Sequence, residues 1–298
     1  MIPMLRRTFL RGGLALVASS VASRSGISAP GAQLWQKWAA NDPNSKLVID
    51  HQAWGGFLRR YLAEEPDGIG RLRYGEVSAA DRQALGRYVE DMSKVQVHAL
   101  KPAEQFAYWI NLYNALTVKT VLDHYPVKSI RDISLGRSLL PNFLTGGGGP
   151  WQAKLIRVEG EEVALDDIEH RILRPLLNDN RIHYAVNCAS IGCPALMSAP
   201  FTAANLLSML DRAARLYVNH PRGVRVEGGG LSVSSIYRWY QEDFGGNWQG
   251  VLTHLRRYAN PTTGQMLAPF ETIKTDTYDW QLNDAATYAK TAQVPERG

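Results

Sequence analysis

The stretch KPAEQFAYWINLYNALTVKTVLDHYP, residues 101–126, constrains this chain most. Pro102 suits a first helical turn because it has no N–H to lose, and Pro126 stops the helix that follows. A largely apolar helix of this length excludes an all-strand architecture. Asn111 and Asn114 stand three residues apart, so their amides share one face of it. A buried amide has to find partners. A neighbouring loop is the reading the residues favour, and a bound ligand is the alternative.

Residues 33–125 read as helical throughout, with Ser78 as the cap of SAADRQALGRYVEDMSKV. Beyond them, AKLIRVEGEEVALDDIEHRILRPLL reads as a hairpin and then a helix, and RIHYAVNCAS as a buried strand. TAANLLSMLDRAARLYVN is a predicted helix capped by Thr202, and GVRVEGGGLSVS a second hairpin. SSIYRWYQEDFGG and NWQGVLTHLRRYA are further helices, with IKTDTYDWQLND a closing strand. Helices first and strands later make an α+β class, a helical N-terminal part packed on a mixed sheet with hairpins. The glycine run 146–149 is no phosphate loop, because Pro150 and a strand follow where a helix with Lys-Ser/Thr is needed. It reads as a flexible loop suited to a lid.

The N-terminus carries Arg6-Arg7-Thr8-Phe9-Leu10-Arg11 and then a diluted apolar run over residues 12–22. A membrane-spanning helix needs about 20 mostly apolar residues, so this is a removable export signal of twin-arginine type, not a stable membrane anchor. The expected division is signal peptide 1–32 and a single globular domain 33–298, periplasmic or secreted. Four charges of the formal net +5 lie in residues 1–32, which leaves +1 for the remainder. With no dense Lys/Arg patch left, nucleic acid is excluded as an expected partner. A peptide or small-molecule ligand remains.

Both cysteines fall in HYAVNCASIGCPAL, residues 183–196. Four readings stand open. A Cys188–Cys193 disulfide would close a tight loop and contribute roughly 2 kcal/mol. Twin-arginine export carries folded proteins, so such a bond is not needed to reach the fold. A metal site of Cys188, His170, His183 and Glu169 matches no established ligand spacing, and neither metal nor cofactor is expected. A thiol nucleophile needs a lowered pKa, a base and oxyanion donors. Cys188 at a strand exit, with free backbone N–H groups beyond it, fits that pattern. His183 lies five positions upstream and faces the opposite side of a regular strand, so His170 is the better base. Asn111, Asn114 or Asp279 would orient it. Two packed thiols are the fourth reading. Glu169, three residues after Asp166, fits a capping box. Adjacent helical positions diverge by about 100°, so Glu169 and His170 should not serve one site equally.

Several runs together resemble a known family, the bacterial and plant domain of unknown function 547. They are YWINLYNAL (108–116), LDDIEH (165–170) with ILR (172–174), and HYAVNCAS (183–190) with CP (193–194). WY (239–240) with DF (243–244), and YDWQLN (278–283), complete the series, which spans about 106–283. In plant members the Cys188 position stays cysteine while the Cys193 position can be serine. The resemblance therefore implies a functional Cys188 that needs no obligatory disulfide. Two functions follow as expectations. One is an exported thiol-dependent hydrolase or acyl transferase, compared by analogy with papain and transglutaminase architectures, using Cys188 with a histidine. The other is a non-catalytic binding or scaffolding module that carries the Cys188–Cys193 disulfide.

Overall fold

The first elements of the computed structural model, which describes residues 29–135 and 149–292, are α1 (Gln52–Tyr61), β1 (Leu62–Glu64), β2 (Gly70–Leu72), α2 (Ala79–Ser93) and α3 (Pro102–His124). Residues 1–28 of the expected export signal and 146–148 of the glycine run lie outside the described residues. Ser78 caps α2 by accepting the Asp81 N–H. The β1–β2 hairpin corrects the all-helical expectation for residues 33–125. Pro66-Asp67-Gly68 turns the chain there, with Gly68 at φ +75° and the Asp67 carboxylate accepting the Ile69 N–H.

Helix α3 is the centre of the larger core cluster, and of residues 104–122 only Phe106 and Lys119 escape burial. A helix covered on all sides cannot leave its polar groups to water. Glu104 accepts the Ile49 N–H at 2.8 Å, and Gln105 donates to Ala40 O at 2.6 Å and Val97 O at 2.8 Å. Asn111 donates to Phe201 O at 2.7 Å and accepts from Phe201 N at 3.0 Å. Asn114 donates to Ala185 O at 2.9 Å and accepts from Asn187 N at 2.8 Å. Both asparagines therefore hold loop backbone, the favoured reading of the two.

After α3 come a hairpin of β3 (Ile156–Val158) and β4 (Glu161–Val163), a π-helix over Asp167–Leu173, α4 (Arg174–Leu177) and a 3₁₀ turn over Asn180–Tyr184. Then follow α5 (Leu206–Val218), β5 (Val224–Glu227), β6 (Gly230–Ser234), α6 (Ile236–Trp239), α7 (Trp248–Tyr258), α8 (Pro261–Leu267), β7 (Thr275–Thr277) and α9 (Ala285–Ala292). β6 pairs antiparallel with β5 and parallel with β7, a small mixed sheet in an α+β fold. Helix α3 packs against α2, the π-helix and α5, while the sheet closes a second cluster with α5 and α7.

Two local expectations change. Residues 180–190 form no strand, because the Asp179 carboxylate accepts the Arg181 N–H and starts a 3₁₀ turn. The following backbone is held by side-chain amides, and its one bridge is Ser190 to Leu282. Thr202 stands before α5 and does not cap it. It exchanges hydrogen bonds with Asn205, its N–H donating to Asn205 Oδ1 and its Oγ1 accepting from Asn205 N.

Replacing Asn111 by Leu keeps the shape of the core but strands the buried N–H and C=O of Phe201. Each lost partner costs about 1–3 kcal/mol, so Asn111→Leu should lower unfolding free energy by about 2–4 kcal/mol. Urea denaturation of the variant beside the wild type measures this.

Candidate active site

A cavity of about 510 Å³ opens between the π-helix, the Cys188 loop and the α6 and β7 ends of the small sheet. Glu169, His170, His183, Cys188 and Cys193 all line it. Two departures from the sequence expectation bring them together. The first is the π-helix, in which the Arg174 N–H bonds Glu169 O, five residues back. Its wider turn lets the consecutive residues Glu169 and His170 reach one cavity, against the divergence expected of an α-helix. The second is the missing strand at 180–190, so the alternation that set His183 apart from Cys188 does not apply.

Glu169 is no capping residue. Asp166 already has helical dihedrals and makes no side-chain cap, while Asp167 accepts the Ala164 N–H. The Glu169 carboxylate instead lies buried, accepting from the Tyr113 hydroxyl at 3.1 Å. Burial opposes its charge, but the imidazoles of His170 and His183 and the Tyr240 hydroxyl outweigh it and hold the carboxyl below the usual glutamate range.

Arg174 ties the two histidines into one network. It forks onto Asp243, Nε to Oδ2 at 2.7 Å and Nη2 to Oδ1 at 3.1 Å, and donates to Pro30 O at 2.6 Å. It also reaches His170 Nδ1 at 3.2 Å. Guanidinium only donates, so that ring nitrogen accepts and His170 carries its proton on Nε2. Burial, seconded by Arg174, lowers the His170 pKa against the pull of Glu169. His183 places Nε2 2.7 Å from Asp243 Oδ2 and stacks on Tyr240 with centroids 3.9 Å apart. Its Nδ1 is buried without a hydrogen-bond partner, 3.8 Å from Glu169 Oε1 and beyond bonding reach. Asp243 stays ionised well below the usual range, because the His183 and Arg174 hydrogen bonds overcome its burial.

The loop that carries Cys188 is built from amides. Asn114 grips it at Ala185 and Asn187, and Asn187 accepts the Ala189 N–H at 2.8 Å and donates to Pro194 O at 2.6 Å. Ala189 is held at φ +59°, a left-handed conformation that a side chain adopts at a cost. The Cys188 N–H points at Cys193 Sγ, 3.1 Å away. The N–H groups of Cys188 and Ala189 are thus engaged within the loop, which corrects the expectation of free oxyanion donors there. Gly192 touches the backbone of Asp279, where a Cβ would meet N at 2.8 Å and O at 2.9 Å. Asp279 serves the loop through that backbone, and its exposed carboxylate accepts the Gln281 N–H instead of orienting a histidine.

Cys188 and Cys193 are free thiols, not the disulfide that was one of the open readings. Half-buried Cys188 has two hydroxyl neighbours, Tyr278 at 3.1 Å and Ser190 at 3.2 Å from Sγ. The neighbouring Cys193 thiol, Ser190 and Tyr278 overcome burial and bring the Cys188 thiol down to about 7. Burial pushes the Cys193 thiol far up. Neither histidine hydrogen-bonds the Cys188 sulfur. Among the described residues no group of three or more His, Cys, Asp or Glu side chains is arranged to hold a metal ion. Trp151, Trp239 and Trp280 complete the cavity wall beside Tyr278, with Trp239, Tyr278 and Trp280 in mutual ring contact.

Residues the sequence reading passed over include Tyr113, Arg174, Ser190, Tyr240, Asp243 and Tyr278. All six lie in runs that carry the family resemblance, but no local spacing assigns them a role.

Asp166 offers a check on the cavity's electrostatics. Its carboxyl lines the same wall and sits 3.8 Å from His170 Nε2. Burial, with Glu169 and Asp167 beside it, raises its pKa from 3.8 to about 6. The folded state therefore binds this proton more tightly than the unfolded chain. The stabilisation is present at low pH and is lost as pH rises through the folded value. Relative to Asp166→Asn, the wild type should lose on the order of 2 kcal/mol of stability between pH 4 and pH 7. Urea midpoints of both proteins at the two pH values measure this difference.

Compared with known proteins, the chain matches no curated protein and no solved structure. Residues 97–218, from just before α3 to the end of α5, match the model of a family described as "Protein of unknown function, DUF547", a stretch that holds Glu169, His170, His183 and both cysteines and stops short of Tyr240, Asp243 and Tyr278.

Proposed function

We propose that this chain is an exported, periplasmic or secreted thiol enzyme, a hydrolase or acyl transferase in which Cys188 is the nucleophile and His183 manages the proton. One observation carries the reading. A half-buried cysteine whose thiol is drawn to about 7 shares a cavity with two histidines and a buried carboxylate. A group with that pKa is substantially thiolate at neutral pH, and the thiolate is the attacking species.

The roles follow from the hydrogen bonds. Tyr278 and Ser190 hydroxyls stabilise the thiolate in place of an imidazolium partner. Cys188 sulfur attacks the acyl carbonyl carbon, the leaving group departs with a proton, and a thioester remains for water or a second acceptor to cleave. His183 is the stronger base candidate of the two histidines. Asp243 orients its Nε2, and its Nδ1 has no hydrogen-bond partner, whereas His170 Nδ1 is occupied by Arg174. Glu169 and Asn114 act as positioning residues, the first beside His183 and the second beneath the loop. With the Cys188 and Ala189 N–H groups engaged, the lining side chains Tyr278 and Gln152 are the oxyanion donors. The cavity volume suits a small acyl donor or a peptide side chain.

A second reading, a ligand-binding module without catalysis, draws on the absence of any imidazole hydrogen bond to Cys188 and on the tryptophan wall. One experiment separates the two. The pure protein is incubated with a panel of p-nitrophenyl esters and small thioesters, and its intact mass is followed. An acyl adduct on Cys188, absent in Cys188→Ala, is expected, and His183→Ala should slow turnover by roughly 100-fold. Equal activity of Cys188→Ala and wild type sinks the enzyme reading. Iodoacetamide alkylation of Cys188 should accelerate across pH 6–8 with a midpoint near 7. Tyr278→Phe, having lost a donor to the thiolate, should move that midpoint upward.

A further inference from the structure

We propose that Cys188 and Cys193 together form a two-electron redox pair that reduces hydroperoxides, Cys188 being oxidised first and Cys193 resolving it as an intramolecular disulfide. The inference stands on the pair and does not depend on acyl transfer.

The geometry sets both the pairing and the order of events. The chain doubles back between the cysteines. Asn187 Nδ2 bonds Pro194 O at 2.6 Å across the mouth of the loop, and the Cys193 N–H bonds Ser190 O at 3.2 Å within it. Cys193 Sγ consequently lies 3.1 Å from the backbone nitrogen of Cys188, three bonds from the Cys188 sulfur. The loop is pinned from outside by Ile191 N to Gln281 O and Gly192 N to Asp279 O, both at 2.8 Å. Its two cysteines cannot drift apart while those bonds hold. Cys188 is half-buried and faces the cavity, whereas Cys193 is only 4% exposed. An oxidant entering the cavity therefore meets Cys188, the sulfur with the more acidic thiol. Cys193, kept protonated by burial, is held in reserve behind it.

The chemistry balances without a further reactant. The Cys188 thiolate attacks the distal oxygen of a hydroperoxide. The O–O bond breaks, the alkoxide leaves and takes a proton to become an alcohol, and Cys188 becomes a sulfenic acid. The Cys193 thiol then gives up its proton and attacks the Cys188 sulfur. The S–O bond breaks, and the hydroxyl group leaves with that proton as water. Two thiols lose two electrons, and one hydroperoxide becomes an alcohol and water. Tyr278 and Ser190, 2.9 Å apart and both on the Cys188 sulfur, are placed to donate to the departing oxygen. The reduced pair described above is the starting state of this cycle. Oxidation would withdraw the Cys188 nucleophile until a dithiol restores it.

The test uses the full chain, reduced and freed of reductant, with hydrogen peroxide as the probe. The expected result is loss of both free thiols without dimer formation, a linked peptide containing Cys188 and Cys193 by mass spectrometry, and full return of the thiols with dithiothreitol. Cys193→Ser and Cys193→Ala should both stop at a sulfenic acid on Cys188 that dimedone traps, whereas before peroxide is added iodoacetamide should still alkylate Cys188 in each. Cys188→Ser should consume peroxide at least tenfold more slowly than wild type. The proposal is overturned if wild-type Cys188 proceeds to sulfinic acid while Cys193 stays alkylatable, or if the disulfide forms only between two chains. Acylation of Cys188 in the ester panel is read on the reduced protein, so failure of either idea leaves the other standing.

Discussion

A helix buried on every side has to dispose of its polar side chains, and in this protein that requirement organises the molecule. The strands are three to five residues long. They supply little backbone ladder, so many irregular segments must find partners elsewhere for their N–H and C=O groups. Helix α3 provides several of them. Glu104 and Gln105 hold the N-terminal segments at Ile49 and Ala40, Asn111 holds Phe201, and Asn114 holds the approach to Cys188. Each contact joins parts of the chain that are distant in sequence, the asparagine contacts spanning 71 to 90 positions. The loop geometry at the candidate site thus depends on side-chain amides set deep in the core.

That dependence explains the character of the site. A loop fixed by amides turns its own N–H groups inward, and those of Cys188 and Ala189 are consumed there. What faces the Cys188 sulfur is a pair of hydroxyls, contributed by Ser190 from the loop and Tyr278 from the far end of the chain. Hydroxyl donors favour the thiolate, burial disfavours it, and with Cys193 alongside the balance falls near neutrality. On the other wall, Arg174 and Asp243 bind each other and reach His170 and His183, while Pro30 O accepts a further arginine N–H. Charge in the cavity is therefore largely paired, and the unpartnered His183 Nδ1 stands out against it.

How much could be read beforehand varies with the range of the interaction. The α3 helix between its prolines, the Ser78 cap and the two later hairpins are local features, and propensity and turn chemistry locate them. Residues 181–190 read as a strand from their apolar β-formers, whereas the Asp179 carboxylate starts a 3₁₀ turn there by accepting the Arg181 N–H. Glu169 fits a capping box by spacing alone. The helix begins earlier than that spacing implies, since Asp166 is already helical and Asp167 takes the capping role toward Ala164.

From the residues alone came the α+β class, the cysteine-centred candidate site, the two candidate histidines and the pairing of Asn111 with Asn114 on one helical face. These follow from composition, period and local spacing, which act over a few residues. Only the tertiary structure decided which histidine has a nitrogen without a partner, that the cysteines are free, that Tyr278 reaches Cys188 and that Asp243 reaches His183. Those outcomes depend on where burial leaves or satisfies a polar atom. Hydrogen bonds such as Tyr278 to Cys188, 90 positions apart, arise from the packing of the whole chain, and no stretch of sequence encodes them by itself.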